Sequence, residues 1–483
     1  MSSHSLLQTQ LEACAAARYP LHMPGHKRRV LPAPGLSCAA WDTTEVPGTD
    51  DLHDADGILA DAMARAAALW GSRRCWFLVG GSTCGLLAAI RAAAPWGSEI
   101  LCARNCHKSV YHAIELCGLR PVWLTPPVDP EFGVYGSISP ATVADALAAH
   151  PGAACVVLTS PTYEGVLSDL AAMADLCHRR GIPLVVDEAH GAHYLLAAAE
   201  YGWQGGAVAA GADLVIQSAH KTLPSLTQTA LLHLNGTLLD PEEVERQLDV
   251  FETSSPSYPL MVSLDGCVTQ MAEEGPALFA GWRERLDRFS AAVAPLRHLR
   301  VLCHGIDTPA AHPGFFAHDS GKILVSGAAA GLTGAQLAHI LRKSYGFETE
   351  MACRTNLLAM TSVCDADDAL DRLADALLAL DARAFPTEPP TAPGLCPPGE
   401  AACTIAEAVR LPRQELPLPQ AEGAVSAEYV WAYPPGVPLI APGERVTADF
   451  LSACAALENA GTALHHTVAK TPGSLAVCKP AKP

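Results

Sequence analysis

The feature that most limits the possible folds of this chain is the regular alternation of short apolar runs with helix-like segments between Cys75 and about Asp265. Segments rich in alanine and leucine separate the apolar runs. Strands that alternate with helices predict a mostly parallel sheet with right-handed crossovers and helices on both faces, so the expected fold class is α/β. The runs with the length and composition of buried strands are Cys75–Val79, Ile100–Ala103, Val122–Leu124, Cys155–Thr159, Leu184–Val186 and Leu214–Ile216.

The sequence outside this alternation predicts several smaller units. Longer helical patterns with two short strands indicate a smaller α+β domain after the large α/β domain. A segment rich in proline and glycine then has the composition of a linker. The predicted organisation is an N-terminal arm over 1–45, a large domain over 46–265, a small domain over 266–383, a linker over 384–400, a C-terminal domain over 401–470 and a disordered tail over 471–483.

Composition narrows the functional classes. Of the 483 residues, 49% are hydrophobic, which suffices for a large core. Asp and Glu outnumber Lys and Arg by 50 to 32, and a net charge of −18 argues against nucleic-acid binding. The 17 cysteines lie scattered without a Cys-x-x-Cys pair, which favours reduced thiols in a cytoplasmic protein. Neither a signal peptide nor a membrane-spanning run is visible, so a soluble protein is expected.

A candidate reactive lysine follows the last strand of the alternation. Lys221 comes shortly after Leu214–Ile216, with Ser218 and His220 beside it. In open α/β sheets, ligands bind at the carboxyl ends of the strands. Burial and nearby positive charge lower the pKa of a lysine, so that its neutral amine can form a Schiff base. A single lysine after a strand is more often only a solvated side chain, so this interpretation depends on the neighbouring motifs.

Two further motifs follow predicted strands. In Gly80-Gly-Ser-Thr-Cys-Gly85, the hydroxyls of Ser82 and Thr83 and the first N–H groups of a helix could bind an anion, although a helix-capping turn is the simpler reading. Asp187 ends a buried strand, where an unpaired carboxylate is costly. Its partner could be magnesium, as in a helicase, but the chain lacks the phosphate-binding loop of those enzymes. Two other partners are possible for this carboxylate: a metal ion shared with His190 and His193, or a protonated pyridine nitrogen.

A pyridoxal-phosphate enzyme needs all three of these parts. The cofactor requires a phosphate cradle, a carboxylate that keeps its ring nitrogen protonated, and a lysine that holds it as a Schiff base. Ser82 with Thr83, Asp187 and Lys221 supply one group for each role. His107 follows another predicted strand and could stack on the ring, although a structural histidine is the usual explanation for such a residue.

These motifs resemble those of the bacterial ornithine, lysine and arginine decarboxylases over residues 20–450. The matching segments are His22-Met-Pro-Gly-His-Lys27, Thr44-Glu-Val-Pro-Gly-Thr-Asp-Asp-Leu-His53, Arg104-Asn-Cys-His-Lys-Ser109, Ser160-Pro-Thr-Tyr163, Asp187-Glu-Ala-His-Gly-Ala-His193, Gln217-Ser-Ala-His-Lys-Thr-Leu-Pro224, Thr253-Ser-Ser-Pro-Ser-Tyr258 and Tyr433-Pro-Pro-Gly-Val-Pro438. The resemblance implies an aspartate-aminotransferase-like enzyme of fold type I, with a C-terminal family domain, that uses pyridoxal 5′-phosphate to decarboxylate a basic amino acid. The N-terminal wing of longer members is expected to be absent.

The resemblance also implies roles for single residues. It gives Lys221 the cofactor linkage, Asp187 the ring nitrogen and His107 the stacking position. Glu350 would bind the distal cation of the substrate, with Glu348 as a close alternative. The implied contacts with the cofactor and its phosphate are Ser82, Thr83, His190, Ser218, His220 and, from a neighbouring subunit, Thr253. A homodimer or larger homo-oligomer with shared sites is therefore expected, and no metal site.

Several alternatives stay open from the sequence alone. The proton donor to the substrate Cα could be His220 or Lys221. Arginine, lysine and ornithine are all possible substrates, and arginine is favoured because members without the wing are often biosynthetic. Another fold-type-I enzyme such as an aminotransferase, a metal hydrolase built on Asp187, His190 and His193, and an inactive paralogue are the competing functions.

Overall fold

A computed structural model of the chain describes residues 19–21, 45, 50–204, 206–303, 305, 311–353, 355–384, 397–432, 437–459 and 463–479. The predicted arm motif at 22–27, the start of the acidic motif at 44 and 46–49, and residues 433–436 of the last motif lie outside the described residues. Along the described segments, no helix is both long and apolar enough to cross a membrane.

The large domain is built on a seven-stranded sheet with the strand order β2-β9-β8-β7-β5-β3-β4. Strands β8, β7, β5, β3 and β4 run parallel, whereas β9 runs antiparallel to both β2 and β8. The prediction of a mostly parallel sheet is thus confirmed. The first nine strands of the chain are β1 (Tyr19–Leu21), β2 (Arg74–Leu78), β3 (Glu99–Ala103), β4 (Arg120–Leu124), β5 (Val156–Thr159), β6 (Val166–Leu167), β7 (Leu184–Asp187), β8 (Leu214–Gln217) and β9 (Ala230–Leu234).

Strand β9 was not predicted, because a histidine interrupts its apolar run. His233 is fully buried in the middle of the strand. Its ring nitrogens lie 3.0 Å from Ser72 Oγ and 3.2 Å from Gln217 Oε1. These two partners satisfy the imidazole, so the strand can be buried despite a polar side chain at its centre.

Helices cover both faces of this sheet. Alternate residues of β8 lie in different cores, since Leu214 and Ile216 belong to one hydrophobic cluster and Val215 to another. A Cβ atom at Gly85 would lie 2.5 Å from Leu78 Cδ1, so the glycine lets α2 pack close to the sheet. The helices of this part are α1 (Ile58–Trp70), α2 (Gly81–Ala93), α3 (Lys108–Leu116), α4 (Pro140–Ala149), α5 (Leu170–His178), α6 (Ala219–Thr222) and α7 (Pro241–Phe251).

A long helix, α8 (Tyr258–Val293), leads from the large to the small domain. The boundary predicted between residues 265 and 266 falls inside this helix. Buried side chains such as Met261, Leu264 and Val268 continue one apolar face across that point, so the chain does not break there.

The small domain contains a four-stranded antiparallel sheet with the order β10-β12-β15-β14. Strand β11 pairs with β6 of the large domain, and β13 pairs with β1. The pairing of β6 with β11 lies just before β12, whose first residue, Lys322, contacts His190 of the large domain. The elements are β10 (Arg300–Leu302), β11 (Ala317–His318), β12 (Lys322–Ser326), α9 (Gly334–Ile340), β13 (Phe347–Thr349), β14 (Met351–Cys353), β15 (Asn356–Met360) and α10 (Ala369–Asp381).

The C-terminal region forms a two-stranded and a three-stranded antiparallel sheet. Its elements are α11 (Ile405–Ala408), β16 (Arg413–Pro417), β17 (Val430–Ala432), β18 (Pro438–Ile440), α12 (Ala448–Asn459), β19 (Leu464–His466) and β20 (Ser474–Cys478). The prediction of a disordered tail from residue 471 is wrong for β20. This strand pairs with β16 and buries Leu475, Ala476 and Val477, and that apolar burial offsets the entropy lost on ordering.

A buried ion pair joins the C-terminal domain to the large domain. Arg104 Nη1 donates to Glu444 Oε1 at 2.6 Å, and Nη2 donates to Glu444 Oε2 at 3.0 Å. The two side chains are only 2% and 4% exposed. The guanidinium also packs over the ring of Trp123. Because Arg104 directly precedes the segment that carries His107, this pair ties the C-terminal domain to the cavity wall.

Replacing Glu444 with glutamine should destabilise the protein strongly, because it leaves a buried guanidinium without a counter-charge. We expect the free energy of unfolding to fall by about 3 kcal/mol. Chemical denaturation of the variant and of wild type measures the difference. Glu243→Gln, which breaks the exposed pair with Arg246, serves as the control and should cost about 1 kcal/mol or less. Equal effects of the two substitutions would contradict the role assigned to the buried pair.

Candidate active site

The candidate site lies at the carboxyl edge of the parallel strands. Asp187 ends β7, Thr159 ends β5 in register with it, and Ser218 directly follows β8. A cavity of about 340 Å³ opens at this edge. It is lined by Gly80, Gly81, Ser82, Thr83, Leu86, Asn105, His107, Thr159, Pro161, Tyr163, Asp187, Ala189, His190, Ser218, His220, Lys221, Gln228 and Val437. The structure thus brings eight of the residues singled out in the sequence to one cavity.

A glycine turn forms one end of this cavity. Gly81 has a φ of 77°, which favours glycine, and it begins α2. The Glu252 carboxylate, which the sequence did not single out, accepts hydrogen bonds from the N–H groups of Val79 and Gly80 and fixes the turn. Ser218 Oγ donates to Ser82 Oγ at 3.0 Å. The hydroxyls and the helix N-terminus together form a site suited to a phosphate.

Asp187 is a buried carboxylate with little to balance its charge. Its side chain is 3% exposed, and Oδ1 accepts one hydrogen bond, from the Ala189 N–H at 3.1 Å. Among the residues that the structure describes, no basic side chain forms an ion pair with it. Burial raises the pKa of Asp187, whereas the charge of Lys221 lowers it. A cationic group in the cavity would supply the missing partner.

Lys221 also lines the cavity, next to His190. Its Nζ is 3.0 Å from His190 Nε2, and the second ring nitrogen of His190, Nδ1, is 2.8 Å from Lys322 Nζ. Burial lowers the pKa of Lys221, and the negative charges of Asp187 and Glu350 oppose this effect. Burial also lowers the pKa of Lys322, to about 8. A lysine with a lowered pKa is more readily a neutral, nucleophilic amine.

Two histidines of the cavity are held by local hydrogen bonds. His107 caps α3, where its Nδ1 accepts from the Ser109 N–H, so a neutral ring carries its proton on Nε2. Burial and the charge of Lys221 lower the pKa of His107 to about 3, which keeps the ring neutral. His220 Nδ1 lies 2.8 Å from the carbonyl oxygen of Thr229 and therefore carries the proton.

The cavity fits a ligand with both cationic and polar groups. Asn105 Oδ1 and Thr159 Oγ1 line it, and neither finds a hydrogen-bond partner within the described part of the chain. Buried polar atoms in folded proteins are seldom left unpaired. Together with the unbalanced Asp187 and the glycine turn, they match what pyridoxal phosphate presents: a protonated ring nitrogen, a ring hydroxyl and a phosphate.

The structure separates the two acids that the sequence could not distinguish. The hydroxyl of Tyr163, a cavity residue, donates to Glu350 Oε1 at 2.5 Å. Glu348 instead pairs with the guanidinium of Arg342. Glu350 is therefore the acid in contact with the cavity wall.

Thr253 is exposed and does not line this cavity. Its backbone N–H donates to Glu252, the residue that fixes the glycine turn. The role expected for Thr253 in the site of a neighbouring subunit stays a prediction.

The metal alternative finds no support in the described residues. His193 Nε2 lies 3.2 Å from Asp319 Oδ1, and both side chains are buried, whereas His190 contacts the two lysines. Within the described ranges, no three His, Cys, Asp or Glu side chains are grouped so that they could hold a metal ion.

The sequence profile of the Orn/Lys/Arg decarboxylase major domain matches residues 37–306, and that of the C-terminal domain matches residues 395–466. The chain belongs to the Orn/Lys/Arg decarboxylase family. Protein YaaO of Bacillus subtilis is 34% identical and aligns with 84% of this chain over 83% of its own length. The arginine decarboxylase of Bacillus anthracis is 32% identical, with 89% and 88% of the two chains aligned.

The constitutive lysine decarboxylase of Escherichia coli has the same fold, with a TM-score of 0.71 and 21% identity over 88% of this chain and 74% of its own. The prediction of a fold-type-I enzyme is therefore confirmed. As a member of the Orn/Lys/Arg decarboxylase family, the chain is a pyridoxal-phosphate-dependent amino acid decarboxylase.

Several residues that line the cavity or contact its lining were not identified from the sequence. Tyr163 belonged to a matched motif but received no role, and Asn105 lies between Arg104 and His107 in another. Glu252 directly precedes a matched motif. Lys322 had no signal at all, because it opens a strand of the small domain and reaches the site only through the fold.

Proposed function

We propose that this decarboxylase acts on a basic amino acid and that arginine is its substrate. The observation that carries the proposal is the Glu350 carboxylate, held by the Tyr163 hydroxyl at the cavity that contains Lys221. A guanidinium is a planar fork of N–H donors and pairs with a carboxylate through two parallel hydrogen bonds. The similarity to an arginine decarboxylase over most of both chains supports this choice.

We assign the cofactor contacts as follows. Lys221 holds pyridoxal phosphate, Asp187 pairs with its ring nitrogen, and His107 packs against the ring. The phosphate-binding residues are Ser82, Thr83, Ser218 and His220, with Thr253 contributed by a neighbouring copy in a homodimer or larger assembly. When bound, the cofactor supplies a protonated ring that takes up the electron pair left as carbon dioxide departs.

Lys221 is the better placed of the two candidate proton donors. The proton of a neutral His220 is on Nδ1 and is donated to the Thr229 carbonyl, so Nε2 has none to give. Lys221 carries protons on Nζ, which faces the cavity and lies 3.0 Å from His190. We therefore assign to Lys221 the protonation of the substrate Cα, from its ammonium form.

A substrate panel tests the proposed function. The cofactor-loaded enzyme is incubated separately with arginine, lysine and ornithine, and both the carbon dioxide and the remaining product are identified. We expect the amine derived from arginine and the highest kcat/KM for that substrate. A keto acid product would indicate an aminotransferase, and a preference for lysine or ornithine would overturn the assignment of arginine.

Replacing Glu350 with glutamine should weaken binding of the distal cation. A charge-assisted hydrogen bond contributes about 1.5–3 kcal/mol, so kcat/KM for arginine should fall about 10- to 100-fold, mainly through KM. Steady-state kinetics measures this fall. Glu348→Gln removes a nearby carboxylate that pairs with Arg342, and it should leave KM close to wild type. A larger effect of the second substitution would reverse the assignment.

A further inference from the structure

His190 lies between two lysine amines. Its Nε2 is 3.0 Å from Lys221 Nζ, and its Nδ1 is 2.8 Å from Lys322 Nζ. His190 is 6% exposed and Lys322 is 1% exposed, so bulk water does not take the place of either contact. Tyr163 packs on the ring, with a distance of 4.7 Å between the two ring centroids. These contacts hold the imidazole with one nitrogen toward each lysine.

The hydrogen-bonding capacity of these groups limits where the protons lie. An ammonium group only donates, and a neutral imidazole has one N–H donor and one acceptor nitrogen. His190 therefore cannot accept from two ammonium groups at once. If Lys322 is charged and donates to Nδ1, then the proton on Nε2 is donated to a neutral Lys221. If Lys221 is charged, the order reverses and Lys322 is neutral. The two arrangements differ only in the position of protons along one hydrogen-bonded chain.

A second hydrogen-bond acceptor favours the arrangement with the charge on Lys322. Its Nζ has a second acceptor, the carbonyl oxygen of Tyr163 at 3.3 Å. Three carboxylates raise the pKa of Lys322 and two raise that of Lys221, while the charge of Lys221 lowers the pKa of Lys322. The charged and titratable groups that act on the three residues are Asp319, Glu350, Glu164 and Lys221 on Lys322, Asp187 and Glu350 on Lys221, and Lys221, Lys322, His107 and His220 on His190.

We propose that Lys322 and His190 form a buried proton relay that stores on Lys322 the proton that Lys221 must lose before it can bond to the cofactor. Lys221 Nζ–H gives a proton to His190 Nε2, and His190 Nδ1–H gives a proton to Lys322 Nζ. Lys221 becomes a neutral amine, Lys322 becomes an ammonium, and the imidazole ends neutral with its proton on the other nitrogen. The net charge of the three groups does not change, which avoids creating a new charge in a buried site. This inference rests on the proposed role of Lys221.

The rate at which the full-length chain captures its cofactor tests this relay. After removal of the cofactor, pyridoxal phosphate is added and the growth of visible absorbance is followed as a function of pH. The rate should rise with the neutral fraction of Lys221. In Lys322→Met, the proton store is lost and the midpoint should move up by about one pH unit, with capture about tenfold slower at neutral pH.

A double substitution separates the relay from a simple electrostatic effect of Lys322. His190→Phe should shift the midpoint upward like Lys322→Met, and combining both should add nothing further, because Lys322 acts through His190. If Lys322 acted only as a nearby charge, its removal would shift the midpoint equally in the His190→Phe background, and that result would overturn the relay. His190→Gln replaces His190→Phe if the latter does not fold, since an amide does not pass a proton on.

A matched control and a check on Lys221 complete the experiment. Lys343→Met removes an exposed lysine of the small domain and should leave the midpoint unchanged. Lys221→Ala should give no visible band at all. A band in that variant would overturn the proposed role of Lys221 itself, whereas an unshifted midpoint in Lys322→Met, with Lys221→Ala colourless, would overturn only the relay.

Discussion

Replacing Lys221 with alanine should abolish both the visible absorbance of the cofactor-loaded enzyme and its turnover. The methyl side chain of alanine has no amine that could bond to the cofactor. The same substitution also removes the proposed proton donor. We expect kcat to fall by at least about 10³-fold. Absorbance spectra and carbon dioxide release on the same preparations provide the two measurements.

The control for this substitution is Lys343→Ala, which removes an exposed lysine outside the cavity and should retain both properties. An unchanged spectrum in Lys221→Ala would mean that another lysine holds the cofactor. Lys322, whose Nζ lies near the same histidine, would be the first alternative to examine.

Replacing Asp187 with asparagine should leave the cofactor attached but reduce turnover about 10²- to 10³-fold. The amide has nearly the same shape, but it carries no charge to keep the ring nitrogen protonated. Because Lys221 is intact, the visible band should remain, with a changed dependence on pH. Absorbance spectra report whether the cofactor is attached, and steady-state kinetics on the same preparations report whether it is active.

Asp175→Asn is the matched control, since Asp175 is exposed on α5 and lies outside the cavity. It should change neither the spectrum nor kcat. Full activity in Asp187→Asn would contradict the role assigned to this carboxylate.

The large-domain sheet was predictable because strands buried on both faces appear as continuous apolar runs. Each of the six predicted strands is present, with its ends shifted by at most two residues. The same rule explains the failure at β9, where His233 breaks the apolar run yet is satisfied by partners distant in sequence. The prediction of a disordered tail failed because β20 is a short strand that is buried only through its pairing with β16, and the sequence does not reveal that pairing.

Some residues of the candidate site could likewise be predicted from the sequence, whereas others could not. Asp187 and Lys221 follow neighbouring parallel strands, so the sequence alone predicts that they meet at one edge. Lys322 and Glu350 come from the small domain, and no periodicity places them beside Lys221. Spacing could not separate Glu348 from Glu350, because the two acids lie only two residues apart in the sequence. The contacts with Arg342 and Tyr163 distinguish them.

Reduction of the cofactor-loaded enzyme with borohydride, followed by proteolysis and mass spectrometry, locates the lysine that holds the cofactor. Reduction makes the lysine–cofactor bond permanent, so the added mass stays on one peptide. We expect that mass on the peptide containing Lys221. A modified Lys322 or Lys108 with Lys221 unmodified, or no modified lysine at all, would contradict the assignment of Lys221 on which the proposed mechanism depends.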